Sequence, residues 1–268
     1  MPFCFCPLRS GSSGNAIFVQ AGAVRVLVDA GLSGRAVERA LADIDAAPDS
    51  IQAILVTHEH SDHIAGVGVL SRRYDIPVYA SEKTWLAMED KASIRGIALK
   101  NRYAFTPNES FYIHDLAVSP FSTPHDAADP VGFALNFAGR KICVATDLGH
   151  VGGSLMQALS GSDLVLLEAN HDPDLLRANQ RYSARLKARI LGKKGHLSNG
   201  DSGDALIRLV QEGLHHVILG HLSGDNNSPE LAYNTVCTAL QASGIRPGSD
   251  IQVDLAWREQ TGGVYEID

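Results

Sequence analysis

Six consecutive residues in the first quarter of the chain concentrate side chains that bind metal ions. The stretch HEHSDH, residues 58–63, contains three histidines and two acidic residues. Histidine nitrogens together with carboxylate oxygens suit zinc, manganese or iron, whereas a thiolate-preferring ion would need cysteine. The stretch differs from the helical HExxH motif, because the fourth residue after His58 is Asp62. The spacing therefore indicates a divalent-metal site built on a loop.

Other side chains that can bind metal or carry protons follow short apolar runs. The runs VRVLV, AILVT, KICVAT, LVLL and HVILG lead into Asp29, His58, Asp147, Glu168 and His221, respectively. Such runs are typical of buried strands. In layered α/β folds, ligand sites gather at one end of the strands. The sequence therefore predicts that these five side chains contribute to one site.

Helical periodicity appears between the strands. Apolar faces predict helices over Ser33–Ile44, Asp201–Glu212 and Pro229–Ala242, and residues 64–74 read as a helical segment that follows the histidine cluster. No linker rich in proline, glycine or serine divides the chain. We therefore expect one α/β domain covering residues 1–268.

Composition narrows the class of protein. The chain has 268 residues, a net charge of −7 and four cysteines, which is too few for a disulfide framework in a chain of this length. There is no secretory signal and no run of about 18 apolar residues, so we expect a cytoplasmic protein with no membrane partner. The acidic charge argues against a general nucleic-acid coat protein. However, residues 175–200 carry seven basic residues and no acidic ones.

The motifs together resemble the metallo-β-lactamase superfamily. HEHSDH matches its HxHxDH signature, and the further motifs occur in the expected order: TPHDAADP with His125, ATDLG with Asp147, LGHLS with His221, and VLVDAG with Asp29. The resemblance implies an αββα sandwich, an α/β fold of two mixed β-sheets flanked by helices.

The resemblance also implies a two-metal centre. One ion would take His58, His60 and His125, the other would take Asp62, His63 and His221, and Asp147 would bridge both together with a solvent-derived hydroxide. Zinc and manganese both fit these ligands, and iron fits as well. Two such ions lower the pKa of a bridging water and hold the attacking and leaving oxygens of an in-line displacement. Asp29 would support a ligand histidine from behind.

Later stretches narrow the type of hydrolase. LLEANHD, GHLSNGDSGDAL and VILGHLSGDNNSP follow the order seen in relatives of ribonuclease Z. In that pattern Glu168 and His196 would form a pair that protonates the leaving oxygen, with Asp62 as a further catalytic residue. The chain also resembles the YycJ/WalJ group of bacterial exonucleases, which implies a 5′ to 3′ exonuclease acting on DNA.

Candidate substrate contacts come from two segments. Arg177, Arg181, Arg185 and Arg189 recur every four residues and would form a phosphate-binding ridge if the segment were one helix. Alternatively, they form a solvated face, or residues 180–183 break the helix. From this segment we select Arg185 and Lys187. From the Gly/Ser-rich turn at residues 10–15 we select Ser13 and Asn15, because such a turn can hold a phosphate or can be only a tight turn.

Two other functions remain open from the sequence. A phosphodiesterase for small or cyclic phosphodiesters would use the same metals without a basic surface. A non-catalytic regulatory or binding protein could keep the fold, although the full set of ligand positions argues against it. A thioesterase would not need Glu168 and His196. The β-rich surface is compatible with a homodimer.

Overall fold

The computed structural model describes residues 1–267. Two sheets of seven strands each are flanked by helices, which confirms the predicted fold class. Contacts between residues group the chain into two compact units. Unit 1 comprises Met1–Ser122, Ala127–Arg140 and the residues from Trp257 onward, and unit 2 comprises Thr123–Asp126 and Lys141–Ala256.

The strands and helices are named in chain order. The strands are β1 (Phe3–Arg9), β2 (Ala16–Ala21), β3 (Val24–Val28), β4 (Ala53–Leu55), β5 (Val78–Ser81), β6 (Arg102–Phe105), β7 (Phe111–Ile113), β8 (Leu116–Ser122), β9 (Val131–Phe137), β10 (Arg140–Ala145), β11 (Leu164–Glu168), β12 (His216–Gly220), β13 (Gln252–Leu255) and β14 (Tyr265–Glu266). The α-helices are α1 (Gly34–Ala42), α2 (Ser61–Ile64), α3 (Val67–Tyr74), α4 (Glu82–Met88), α5 (Gly153–Leu159), α6 (Pro173–Ala178), α7 (Ala184–Ile190), α8 (Asn199–Gln211) and α9 (Pro229–Ala242). Short 3-10 turns occupy Pro48–Ser50, Ala92–Ile94 and Leu99–Asn101.

Unit 1 contains a mixed sheet in the order β14-β1-β2-β3-β4-β5-β6. The strands from β14 to β3 pair antiparallel, and those from β3 to β6 pair parallel. The antiparallel strands β7, β8 and β9 also belong to this unit. Because β3 and β4 run parallel, their carboxyl ends lie side by side. The polar residues that follow these two strands are therefore close neighbours.

Unit 2 is built on four parallel strands, β10 to β13. Every residue of β11 is buried. Strands covered on both faces read as continuous apolar runs, which explains the runs KICVAT, LVLL and HVILG in the sequence. Their carboxyl ends also lie side by side, and this end of the sheet carries the residues discussed below.

The predicted helices form at the expected positions, with caps that explain their starts. Ser33 accepts a hydrogen bond from the backbone of α1, Ser198 does so for α8, and Ser228 for α9. The buried residues of α1 include Val37, Ala40 and Leu41, the face expected from the sequence. The predicted segment 64–74 is divided into the end of α2 and α3.

The hypothesis of one long basic helix is wrong. Helix α6 ends at Ala178 and α7 begins at Ala184. Between them, the Asn179 side chain accepts from the backbone of Arg181 at 2.9 Å, and the Ser183 side chain caps α7. Asparagine and serine compete in this way with helical hydrogen bonds. The arginines that recur every four residues consequently lie on two helices and a connection, and they form no continuous ridge.

Within residues 1–267, no helix is both long enough and apolar enough to cross a bilayer.

Candidate metal and catalytic site

Three of the predicted site residues adopt left-handed backbone conformations within two residues of the end of a strand. Asp29 has φ 59°, Asp147 has φ 59° and His221 has φ 55°. This region is unfavourable for residues other than glycine, and such strain tends to collect at functional sites. The conformation turns the chain sharply at the end of a strand. The three side chains are thereby held in place by backbone geometry.

The unit 1 residues of the HEHSDH stretch form a compact cluster. The loop after β4 carries His58 and His60, and α2 carries Asp62 and His63. His58 and His63 are buried, whereas His60 and Asp62 are partly exposed. The His58 ring centroid lies 4.6 Å from that of His60 and 4.1 Å from that of His63. Asp62 Oδ2 lies 3.6 Å from His63 Nε2. The four predicted ligands of unit 1 are therefore brought together.

Asp29 orients His63 from behind. Its Oδ2 accepts from His63 Nδ1 at 2.7 Å, and its two oxygens accept from Thr57 N and Thr57 Oγ1, each at 2.8 Å. Burial raises the pKa of Asp29, and the His63 and Thr57 donors oppose that rise. With Nδ1 protonated, the lone pair of His63 lies on Nε2. This carboxylate–histidine contact is typical of the surroundings of metal ligands.

Thr57 is a functional residue that the sequence reasoning missed. Its hydroxyl lies 3.0 Å from His58 Nδ1 and 3.2 Å from His63 Nδ1, in addition to its contact with Asp29. It thus touches two predicted ligands and their supporting acid. Its position between an apolar strand and the first histidine was the available signal.

The two candidates from the Gly/Ser-rich turn are placed differently. Asn15 is buried, and its Nδ2 lies 3.1 Å from His63 Nε2, while its Oδ1 accepts from the Gly11 backbone at 3.0 Å. The Asn15 backbone also donates to Asp62 O at 2.8 Å. Ser13 is exposed on the turn. The structure therefore places Asn15 against the histidine cluster but leaves Ser13 at the surface.

In unit 2, Glu168 lies at the centre of a buried cluster. Its Oε1 accepts from His196 Nδ1 at 2.8 Å and from His221 Nδ1 at 2.6 Å. Its Oε2 accepts from the backbone amides of Leu148 at 2.7 Å and Leu197 at 3.1 Å. The predicted pair of Glu168 and His196 is therefore in contact. The contact with His221 was not anticipated, and it means that one carboxylate orients two histidines.

Four side chains of this cluster that can bind metal lie close to one another. Ligand atoms of Asp147, Glu168, His196 and His221 lie within 4.8 Å of one another. Asp147 Oδ1 is 3.7 Å from the Nδ1 atoms of both His196 and His221. The predicted bridging carboxylate is thus adjacent to the predicted ligand His221 and to the predicted acid.

Electrostatics favour an ionised Glu168 and a protonated His196. Burial alone would raise the pKa of Glu168, but the charges and hydrogen bonds of His196 and His221 lower that pKa overall. Burial alone would lower the pKa of His196, but the charge and hydrogen bond of Glu168 raise it overall. A histidine whose pKa is raised keeps its proton to higher pH, which suits protonation of a leaving group.

We predict a corresponding pH dependence for the stability of the metal-free protein. A histidine with a raised pKa in the folded state stabilises the fold fully below its unfolded pKa of about 6.5. That contribution is lost as the pH rises through the raised folded value. After chelation, the melting temperature of the wild type should exceed that of His196→Gln at pH 6, and the gap should shrink toward pH 9. A gap that widens with pH would contradict the assigned charge state.

The surroundings of His125 indicate that the metal-binding side chains of unit 2 fit a metal ion. Its Nδ1 donates to Gly195 O at 3.1 Å, and burial lowers the pKa of the ring. The lone pair of the neutral ring is then on Nε2, which lies 3.4 Å from Asp126 Oδ1 and 3.5 Å from Asp147 Oδ1. These three atoms are all acceptors, so their proximity is unfavourable unless a cation lies among them. The site therefore fits a divalent ion.

The loop of residues 192–196 is fixed tightly between neighbouring segments. A Cβ on Gly195 would lie 2.1 Å from Ile190 O, so only glycine fits there. A Cβ on Gly149 would lie 2.2 Å from Lys193 O, and His150 Nδ1 donates to the same oxygen at 3.1 Å. The backbone segments after Asp147 and before His196 are therefore packed directly together.

Most cations of the basic segment have internal partners. Arg177 pairs with Asp174 at 2.9 Å, Arg181 with Asp225 at 2.5 Å, and Arg189 with Asp126. Lys187, a predicted substrate contact, donates to a backbone carbonyl, Arg177 O, at 2.5 Å.

Three cations in this segment remain exposed. Arg185, Lys193 and Lys194 have exposed side chains, and within residues 1–267 none of them forms an ion pair. Of the two predicted contacts in the segment, Arg185 thus remains available to an anionic ligand, and Lys187 is held internally.

Comparison with known protein families identifies the superfamily of the chain. The family described as "Beta-lactamase superfamily domain" matches residues 24–221. This range covers all seven predicted metal ligands and both residues of the Glu168–His196 pair. The chain belongs to this superfamily.

Two relatives that align with nearly the full length of this chain are exodeoxyribonucleases. The chain is 39% identical to "Exodeoxyribonuclease WalJ" of Streptococcus pneumoniae serotype 2 (strain D39 / NCTC 7466) over 251 residues, which are 94% of this chain and 93% of that protein. It is 39% identical to "Exodeoxyribonuclease YycJ" of Bacillus anthracis over 249 residues, 93% of each chain.

Solved structures share the fold at low sequence identity. The metallo-β-lactamase fold protein YhfI from Bacillus subtilis aligns with a TM-score of 0.72 and 16% identity, covering 100% of both chains. The short form of human tRNase Z aligns with a TM-score of 0.65 and 18% identity, covering 99% of both chains. These likenesses support the αββα fold.

Proposed function

We propose that this protein is a two-metal-dependent DNA exonuclease that degrades its substrate from 5′ to 3′. The observation that carries the proposal is the Glu168 carboxylate, which holds His196 as an acid and His221 as a ligand. The 39% identity to exodeoxyribonucleases over 94% of the chain supports DNA as the substrate. The alternative is a phosphodiesterase that hydrolyses small or cyclic phosphodiesters by the same chemistry.

The proposed metal ligands follow the motifs of the superfamily. In unit 1 they are His58, His60, Asp62 and His63, and in unit 2 they are His125, Asp147 and His221, with zinc or manganese as the ions. Bound divalent ions supply Lewis acidity and lower the pKa of coordinated water. The contacts of Asp29 with His63 and of Glu168 with His221 support the proposal, because each carboxylate accepts a hydrogen bond from Nδ1–H and thereby keeps the lone pair of the ring on Nε2.

His196 is proposed as the general acid. Because Glu168 holds its Nδ1, the Nε2–H carries the proton that can be donated to the leaving oxygen. The His196 side chain is 21% exposed, whereas Glu168 is fully buried, so the histidine can reach a substrate and the carboxylate cannot. After donation, Glu168 holds the neutral ring in the same tautomer.

Lys193 and Lys194 are proposed as phosphate contacts, together with Arg185. Both lysines are exposed and lie on the same short loop as His196, three and two residues before it. The close packing of this loop against Gly149 fixes its backbone. A DNA strand held by these lysines would therefore be positioned relative to the proposed acid. Ser13, which is exposed on the turn at residues 10–15, is also a proposed contact.

We predict that the double variant Lys193→Gln/Lys194→Gln binds DNA more weakly and with less salt dependence. Each lost phosphate contact lowers the slope of log K against log salt by about 0.9, so a decrease of about 1–2 is expected. Fluorescence anisotropy with labelled duplex, in calcium to prevent cleavage, measures the slope. Arg177→Gln is the matched control, because Arg177 pairs with Asp174. An unchanged slope in the double variant would remove the lysines from the interface.

The exonuclease proposal is tested with duplex DNA labelled in turn at its 5′ and 3′ ends. The protein is loaded with manganese, and products are followed on a denaturing gel with a chelated control. Stepwise, chelator-sensitive shortening from the 5′ end supports the proposal, and shortening from the 3′ end reverses the direction. No cleavage of DNA, with hydrolysis of bis(p-nitrophenyl) phosphate, would favour the small-phosphodiester alternative. No hydrolysis of either by fully metal-loaded protein would favour a binding protein.

A further inference from the structure

His171 is a buried histidine to which neither the motifs nor the proposed mechanism assign a role. It is 1% exposed, and it lies in the LLEANHD stretch three residues after Glu168. Neither of its ring nitrogens has a hydrogen-bond partner among residues 1–267. This distinguishes it from His196 and His221, whose rings are held by Glu168.

The backbone places His171 beside the catalytic pair. It forms an isolated bridge with Ser198, two residues after His196, and its carbonyl accepts from Asn199 N at 2.9 Å at the start of α8. The charges of Glu168 and His196 both influence its ring. His171 therefore lies between the end of β11 and the start of α8, within electrostatic range of both residues of the pair.

The chemistry of the ring limits what can satisfy it. Burial lowers the pKa of His171, so the ring is neutral and presents one donor and one acceptor. Buried polar atoms in native proteins almost always have partners, and those without one call for an explanation. A substrate cannot reach a side chain that is 1% exposed. Enclosed water molecules, one at each ring nitrogen because the two nitrogens point in different directions, can satisfy the ring and extend the network toward neighbouring polar groups.

We propose that His171 is a positioning residue for the Glu168–His196 pair and acts through an internal water molecule. This rests on the proposed function, because it assigns His171 to the protonation of the leaving oxygen. The ring and its water fix the orientation of His196 without touching the substrate. Loss of the polar ring should therefore impair departure of poor leaving groups and leave other steps intact.

The test compares two substrates and three variants. Duplex DNA has an alkoxide leaving group, which needs protonation, whereas the p-nitrophenyl ester of thymidine 5′-monophosphate releases a stable phenolate. His171→Leu should lower kcat on DNA by about 10–100-fold, as expected for loss of a supporting contact, with KM unchanged. Its kcat on the ester should stay within about twofold of the wild type. His171→Gln, which keeps a donor and an acceptor, should recover most of the activity on DNA.

His216→Gln is the matched control, because this histidine of the same unit bonds Asp254 on the neighbouring strand at 2.7 Å. It should match the wild type on both substrates. Wild-type kcat on DNA in His171→Leu, or an equal loss on both substrates in His171→Leu and His171→Gln, would overturn the positioning role. A wild type that hydrolyses the ester but not DNA would instead refute the exonuclease proposal and, with it, this role.

Discussion

His196→Ala is expected to cleave DNA about 10²–10⁴-fold more slowly than the wild type while it keeps its full metal content. The reason is that His196 supplies a proton to the leaving oxygen and is not among the proposed metal ligands. Its Nδ1 donates to Glu168 at 2.8 Å. Single-turnover cleavage of labelled duplex measures the loss, and elemental analysis of the dialysed protein measures the metal.

Two comparisons isolate the role of His196. The p-nitrophenyl ester of thymidine 5′-monophosphate should be hydrolysed by His196→Ala at nearly the wild-type rate, because its leaving group needs no proton. Glu168→Gln should lose metal as well as activity, because Glu168 also orients the proposed ligand His221. Wild-type turnover of DNA by His196→Ala would refute the assignment, and loss of metal in that variant would make His196 a ligand instead.

Part of the grouping of the metal-binding side chains was predictable from the sequence. The spacing of the HEHSDH residues and the polar residues at strand ends predicted one shared site. The structure brings together the members of each unit, and the single shared site stays a prediction. The pairing of Glu168 with His196 was inferred from a resemblance, and the two side chains are indeed in contact. The division into one or two domains and the formation of a homodimer stay predictions.

Contacts that depend on backbone groups could not be predicted in this way. The acceptor for His125 Nδ1 is the carbonyl of Gly195, and every residue has such a carbonyl. The predicted ridge of arginines does not form for a related reason. The periodicity of the arginines suggested one continuous helix, but Asn179 and Ser183 bond to nearby backbone groups and interrupt it. Local side-chain to backbone competition overrides periodicity over such short segments.

Thr57, which was missed, and Asn15, which was selected, show different limits of the sequence. Thr57 could have been found, since its hydroxyl directly precedes the histidine cluster. Asn15 was selected as a candidate phosphate contact from a polar turn, and its side chain lies against His63. A sequence shows that a turn is polar, but not whether its side chains face inward. The burial of Asn15, at 2% exposure, decides that question.

Asp147→Asn is expected to lose most of its bound metal and nearly all activity. Asparagine tolerates the left-handed conformation with φ 59°, so the variant removes a charge with little backbone strain. A unit charge pair about 4 Å apart is worth about 4 kcal/mol at an effective dielectric constant of about 20, which corresponds to about 10³-fold in affinity. Titration with manganese, followed by elemental analysis, measures the weakened binding.

Asp126→Asn is the matched control for this prediction. Asp126 Oδ1 also lies 3.4 Å from His125 Nε2, but Asp126 is paired with Arg189 and is not a proposed ligand. If Asp147 is the shared ligand, Asp126→Asn should bind metal nearly as well as the wild type, since the charge of Arg189 already offsets the charge of Asp126. Equal losses in both variants would mean that the summed negative charge around His125, and not a specific ligand, determines affinity. Full metal binding by Asp147→Asn would remove Asp147 from the centre.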